Sequence, residues 1–305
     1  MTIFTVFFQM LAFLLMIGVG YFITRRGMLD GHTNSQMSGL LVNVFNPLLI
    51  VSSAANAVGL ISPDTMRTVG LIACGMFAVF ILAGMLLSPV FERDQDQRKI
   101  FQLMFVFSNL GFIGIPVVSG IIGEEYVVYV TEFILIYTIL LYTYGVGLLS
   151  RKFSLSALKE MVNPGTVLSV AALVIIIWEI QIPDFLKTAA AYLGNVTSPM
   201  ALIAIGFNLA QSELKKIFGQ LRLYLFAAVK LLILPLLLLP LLKAATSDIH
   251  LISVCMVMFG MPVGNIPLML GMQKGIDVSA GSAAIILTTV LCVFTIPILM
   301  FAAAY

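Results

Sequence analysis

Apolar runs separated by short charged or turn-rich breaks occupy almost the whole 305-residue chain. Because a membrane-crossing helix needs about 20 largely apolar residues, ten segments can be marked. They run roughly 4–24, 36–55, 66–90, 99–122, 126–149, 164–181, 186–210, 221–243, 249–272 and 277–303. Hydrocarbon forces every backbone hydrogen bond to close within a segment or in a closed barrel. The period-two alternation of barrel strands is absent, so an all-α membrane protein of ten transmembrane helices is expected.

The polar and proline interruptions occur twice. Asn-Val-x-x-Pro at Asn43–Pro47 recurs at Asn195–Pro199, offset by 152 residues, and Gly-Ile-Pro ending at Pro116 recurs as Asn-Ile-Pro ending at Pro267, offset by 151. Pro89 and Pro240 share the offset of 151. Chance coincidence in a biased composition is the competing explanation, but three prolines in one register favour an internal duplication. The longest polar link lies between segments five and six. The expected division is therefore a first repeat at 1–150, a cytoplasmic linker at 151–163 and a second repeat at 164–305. Five segments per copy is odd, so the copies enter the membrane in opposite senses, as in transporters built from inverted repeats.

Lys and Arg set the orientation. Arg25, Arg26, Arg93, Arg98, Lys99, Arg151, Lys152, Lys159, Lys215, Lys216, Arg222 and Lys274 follow odd segments, whereas only Arg67, Lys187 and Lys243 follow even ones. Odd connections are thus expected in the cytoplasm and both termini outside, in a multi-pass protein of the cell membrane. No positive residue precedes the first apolar run, and Arg25 and Arg26 follow it. It reads as a span rather than a removable signal peptide.

Composition narrows the classes. The chain is 61% hydrophobic and 10% charged, with a net charge of +2, which excludes a soluble domain and offers no basic stripe for nucleic acid. Cys74, Cys255 and Cys292 are far apart in apolar stretches, without disulfide or zinc spacing. No catalytic residue, metal site or cofactor is expected. The intramembrane-hydrolase motifs H-E-x-x-H and G-x-S-x-G and the ATP-binding signature are absent.

Segment four reads FSNLGFIGIPVVSG (107–120) and segment nine FGMPVGNIPLMLG (259–271). Pro116, Pro262 and Pro267 lack an amide hydrogen, and Gly111, Gly114, Gly260 and Gly264 tolerate non-helical backbone. Both helices are expected to break near mid-membrane, with second halves starting near Pro116 and Pro267. A plain proline kink is the alternative. Freed backbone groups at such a break must face protein or a water-filled cavity, and a half-helix N-terminus there favours an anion. Asn109 and Asn265 flank the breaks. They can orient a carboxylate or a coupling ion, or simply close hydrogen bonds between helices.

These strings resemble the crossover signatures of the auxin efflux carrier family, which includes plant PIN proteins and bacterial malonate and malate permeases. The resemblance implies a scaffold of segments one, two, six and seven, and a mobile transport unit of segments three to five and eight to ten. It also implies that segments four and nine cross at the substrate site, with Asn109 and the prolines there, and that homodimers form through the scaffold. The chain lacks the large central loop of long plant members, so it is similar to the compact bacterial branch, which favours a small dicarboxylate over auxin.

Asn43, Asn46 and Ser198 form a second symmetric polar set, either scaffold kinks or the opposite wall of the cavity. Glu132 and Lys230 lie inside spans, where each should face the interior or pair; a coupling role for Glu132, or hydration near the interface, are both open. The expected function is a secondary active transporter or uniporter of a malonate- or malate-like anion by alternating access, with proton or sodium as the coupling ion if there is one. A membrane anion sensor without flux and an efflux carrier of an auxin-like aromatic carboxylate are the alternatives.

Overall fold

The structure is a computed structural model that describes residues 3–150, 162–211, 219–273 and 275–304. Arg151, Lys152, Lys159, Lys215, Lys216, Lys274 and all but the end of the 151–163 linker lie outside the described residues. Among the described residues every regular element is helical. In chain order they are α1 (Ile3–Arg25), α2 (Gly31–Ala57), α3 (Pro63–Phe91), α4 (Gln95–Val106), α5 (Leu110–Ile122), α6 (Glu124–Leu149), α7 (Pro164–Ile177), α8 (Asp184–Ala210), α9 (Leu221–Ala245), α10 (Ile249–Phe259), α11 (Ile266–Gln273) and α12 (Ser279–Ala304). Seven of them, α1, α2, α3, α6, α8, α9 and α12, are long and apolar enough to cross a membrane, and α5, α7 and α10 are shorter apolar helices.

Short polar side chains start five of these helices. Asp30 accepts from the Thr33 amide at 2.8 Å, Ser62 from Thr65 at 3.1 Å, Asp94 from Gln97 at 2.9 Å, Asn163 from Thr166 at 3.0 Å and Asp248 from His250 at 2.8 Å. Each satisfies an amide that the first helical turn leaves without a partner. Pro63 and Pro164 occupy first-turn positions, where a missing N–H costs nothing. At the other end of α7, Glu179 adopts a left-handed φ of 49° and stops the helix short of the 164–181 segment.

Two sets of helices pack among themselves and also on each other, α1 meeting α12, and α6 meeting both α2 and α7. α1, α2, α7 and α8 pack on one another: α1 lies along α8, and α2 against both α7 and α8. Glycines set the approach. A methyl group at Gly206 would collide with the Ile17 carbonyl and lie 2.7 Å from the Tyr21 amide nitrogen, and one at Gly194 would lie 2.7 Å from the Leu49 Cα. The second group joins α3 to α4 and α6, and α12 to α9 and α10. Its interior holds an aromatic cluster in which Phe226 meets Phe91, Phe101 and Phe105 edge-on, with ring centroids 4.9–5.6 Å apart, a geometry favoured by the ring quadrupoles.

The turn between α3 and α4 is fastened to α9 by Glu92. Its carboxylate accepts from the Arg93 amide at 2.8 Å, from the Asp94 amide at 3.3 Å and from the Arg222 guanidinium at 2.8 Å. Partial burial pushes the carboxyl pKa up, but the two amides and the guanidinium outweigh it and hold the group below its ordinary value. With the folded pKa below the unfolded one, the stabilisation is present above the unfolded value and fades as pH falls through the folded one. Glu92→Gln is therefore expected to lower thermal stability at neutral pH, by no more than about 1 kcal/mol because Arg222 is solvent-exposed. In thermal unfolding the difference should vanish in acid; a difference independent of pH would contradict the pairing.

Candidate functional site

The chain breaks helical geometry at two places and pairs the broken ends. α4 stops at Val106 and α5 starts at Leu110, while α10 stops at Phe259 and α11 starts at Ile266. The intervening strands of backbone cross, and Ser108 and Val263 form an isolated antiparallel bridge. The Asn109 amide donates to the Pro262 carbonyl at 2.8 Å, and the Gly264 amide to the Phe107 carbonyl at 2.9 Å. The Val263 amide donates to Thr288 Oγ1 at 3.2 Å. Each break thus satisfies polar groups of the other, which hydrocarbon could not do. Gly264 permits the approach: a Cβ there would lie 3.1 Å from the Ser108 carbonyl oxygen.

The second half of segment four does not begin at Pro116. It begins six residues earlier, after Asn109, whose Oδ1 accepts from the Phe112 amide at 3.1 Å. A wide π-turn over Leu110–Gly114 follows, closed by the Gly114 amide donating to the Asn109 carbonyl at 3.1 Å. The asparagine cap supplies the start that the proline was expected to supply, and Pro116 is buried inside the continuing helix. In segment nine the start falls as expected, with Pro267 in the first turn of α11.

A cavity of about 710 Å³ lies against this crossing. The first turns of both second halves line it, Asn109, Leu110, Gly111 and Phe112 from α5, and Gly264, Asn265 and Ile266 leading into α11. Facing them are Asn46 of α2, Ser169 of α7 and Asn208 of α8, while Tyr137 and Thr138 of α6 and Thr289 of α12 complete the wall. Among the described residues no Asp, Glu, Lys, Arg or His lines it. The cavity extends to the start of α2, at Gly31 to Gly39, and to the start of α7, at Asn163 to Thr166. Toward the other end, Gly120 of α5 packs on Gln9 and Phe13 of α1, and Ser53 joins α2 to α6 by donating to the Glu125 carbonyl at 3.1 Å and accepting from the Val128 amide at 2.8 Å.

Of the residues singled out from sequence, Asn46, Asn109, Gly111, Gly264 and Asn265 line this cavity. Gly114 is buried against α10, where a Cβ would lie 2.9 Å from the Met258 methyl, and Pro116, Pro262 and Pro267 are buried behind the lining. Asn43 is exposed and donates to the Gly39 carbonyl at 2.8 Å; neither it nor Ser198 is on the cavity wall. Glu132 is half-buried, packed against Gly70 of α3, and no ion pair joins it to Lys230 among the described residues. Lys230 is fully buried and donates to Ser108 Oγ and the Phe105 carbonyl.

Sequence reading missed Ser108, Tyr137, Thr138, Ser169, Asn208 and Thr289. Ser108 was within reach, since it precedes Asn109 in the interrupted string. The others are single polar positions on otherwise apolar helices, without a repeat to mark them. Among the described residues, two of the facing groups lack protein partners: Asn46 Oδ1 and Ser169 Oγ are buried and unpaired. Asn109 commits Oδ1 to its cap.

Two helix N-termini, each carrying roughly half a positive elementary charge, converge on one largely apolar space to which Asn46, Asn109, Ser169, Asn208 and Asn265 add uncharged polar groups. Comparison with known proteins agrees with a transport role. A family profile described as "Membrane transport protein", that of the auxin efflux carriers, matches residues 5–157 and again 150–300. An uncharacterized transporter of Methanocaldococcus jannaschii is 25% identical over 211 residues, covering 66% of this chain and 68% of the relative. The chain belongs to the membrane transport protein family of auxin efflux carriers, and is a multi-pass membrane transporter rather than an enzyme.

Proposed function

We propose that the cavity carries a small organic anion, of malonate or malate size, across the cell membrane by alternating access. The observation that supports it is the convergence of the α5 and α11 N-termini on one cavity that, among the described residues, has no charged side chain on its wall. A dianion entering there exchanges hydration for amide donors of the first helical turns and for the Asn109 and Asn265 side chains. The volume is within the range of small-molecule sites, about 300–1,000 Å³. An aromatic carboxylate is a second reading, favoured by Phe112 and Tyr137 on the wall.

In this reading α4 with α5, and α10 with α11, are segments four and nine of a ten-span, inverted-repeat layout. α1, α2, α7 and α8 form the scaffold, through which homodimers assemble, and the remaining helices form the unit that moves. With odd connections in the cytoplasm, the mouth at the starts of α2 and α7 is cytoplasmic, and this is the inward-open state. The anion's own gradient and the membrane potential, about 2.3 kcal/mol per elementary charge per 100 mV, drive movement.

Side-specific labelling tests the site and its orientation. Ser38→Cys, on a background with Cys74, Cys255 and Cys292 replaced, should react with a charged thiol reagent from the cytoplasmic face of vesicles, and malonate should slow the reaction. Reaction from the outer face alone, or labelling that no carboxylate slows, would contradict the reading.

A further inference from the structure

Lys230 lies mid-way along α9, on a π-turn over Val229–Ile233, and is 0 % exposed. Among the described residues it is the one charged side chain in the buried class. An ammonium so placed needs acceptors for its three N–H groups. Nζ donates to the Phe105 carbonyl and to Ser108 Oγ, each at 2.8 Å, and lies 4.7 Å from the centroid of the Phe80 ring, whose face attracts a cation. No carboxylate takes part: the ion pairs among the described residues are Arg67–Asp64, Lys99–Asp96, Lys187–Asp184 and Arg222–Glu92.

The choice of acceptor is informative. In an unbroken helix the Phe105 carbonyl would receive the Asn109 amide; here that amide goes to Pro262 across the crossing. Phe105 therefore presents one of the orphan carbonyls at the negative end of α4. Where transporters carry broken helices, unwound carbonyls and half-helix C-termini are where a coupling cation binds. In this chain the Lys230 ammonium occupies that place. The contact also reaches the cavity. Ser108 lines it, and because its oxygen accepts from Lys230, its own hydroxyl hydrogen is left to donate elsewhere, including to a bound anion.

We propose that Lys230 is a built-in counter-cation for the crossing, which holds the end of α4 in place of a metal ion and passes positive polarity through Ser108 to the anion in the cavity. The second half of this statement rests on the anion reading above; the first does not. Lys230 is a positioning residue, and transport by the wild-type protein needs no sodium.

Two measurements test it. In proteoliposomes, wild-type carboxylate uptake should be unchanged when choline replaces sodium on both sides, and Lys230→Met, purified as a folded protein, should lose at least about tenfold, equivalent to about 1.4 kcal/mol. A strict sodium requirement in the wild type, or wild-type uptake by Lys230→Met, would overturn the proposal. Independently of flux, Lys230→Ala should be stabilised against thermal unfolding by methylammonium or sodium relative to choline, with no such effect on the wild type. An Ala variant indifferent to these cations, or unfolded in all of them, would overturn the cation role. Absence of carboxylate uptake by the wild type together with cation rescue of Lys230→Ala would sink the anion reading and keep the built-in cation.

Discussion

Asn109→Ala is expected to abolish substrate-dependent flux while leaving a folded, extractable protein. Two losses combine at this position. The first is the cap: without Oδ1 the Phe112 amide loses its acceptor, a change that costs about 1 kcal/mol in ordinary helices. The second is the side-chain NH₂, which the proposed anion would use as a donor. The backbone bonds of Asn109, its amide to Pro262 and its carbonyl from Gly114, do not depend on the side chain and should survive. Stability should therefore fall modestly and uptake by at least about tenfold. Uptake close to wild type would assign Asn109 to the helix start alone.

Gly206→Ala should have the largest effect on stability. The added methyl collides with the Ile17 carbonyl and lies 2.7 Å from the Tyr21 nitrogen and 2.8 Å from the Gly20 Cα. These are backbone atoms of α1, so no rotamer change relieves the contact and the helices must separate. Overpacking of this kind costs about 1–3 kcal/mol, and α1 and α8 are joined along much of their length. The expected result is a lowered melting temperature in detergent, with lost transport following from lost fold. The neighbouring Gly18, which meets nothing within 4 Å, gives the control: Gly18→Ala should be neutral or slightly stabilising, since alanine is the better helix former by roughly 1 kcal/mol. Equal melting for the two variants would contradict the close α1–α8 contact.

How much of this was legible in the sequence depends on whether the signal was local. Apolar runs announced the long helices, whereas the caps at Asp30, Ser62, Asp94, Asn163 and Asp248 went unread, although each needs only its own next three residues. The interruption in segments four and nine was also legible. Its position was not, at least in segment four, because the proline was the visible breaker while the asparagine seven residues earlier made the start. A π-turn has no composition signal, and the one over Leu110–Gly114 lets Pro116 sit inside a helix without ending it. The cavity wall opposite the crossing was read only in Asn46. Ser169, Tyr137 and Thr289 reach it through tertiary packing, which periodicity does not encode. Lys230 stood out as a lone charge in an apolar span, but its acceptors are over 120 residues away in the chain. Nothing local points to a carbonyl rather than a carboxylate.

The central claim is that the crossing of α4–α5 with α10–α11 forms a carboxylate path rather than a binding site alone. Uptake of labelled malonate and malate by the purified protein in liposomes, with and without imposed proton and sodium gradients, tests it most directly. The account predicts saturable uptake that other small dicarboxylates compete for, that responds to membrane potential, and that is absent with Asn109→Ala. Protection of Ser38→Cys by a carboxylate, accompanied by uptake no greater than that of empty liposomes, would contradict it and leave an anion sensor.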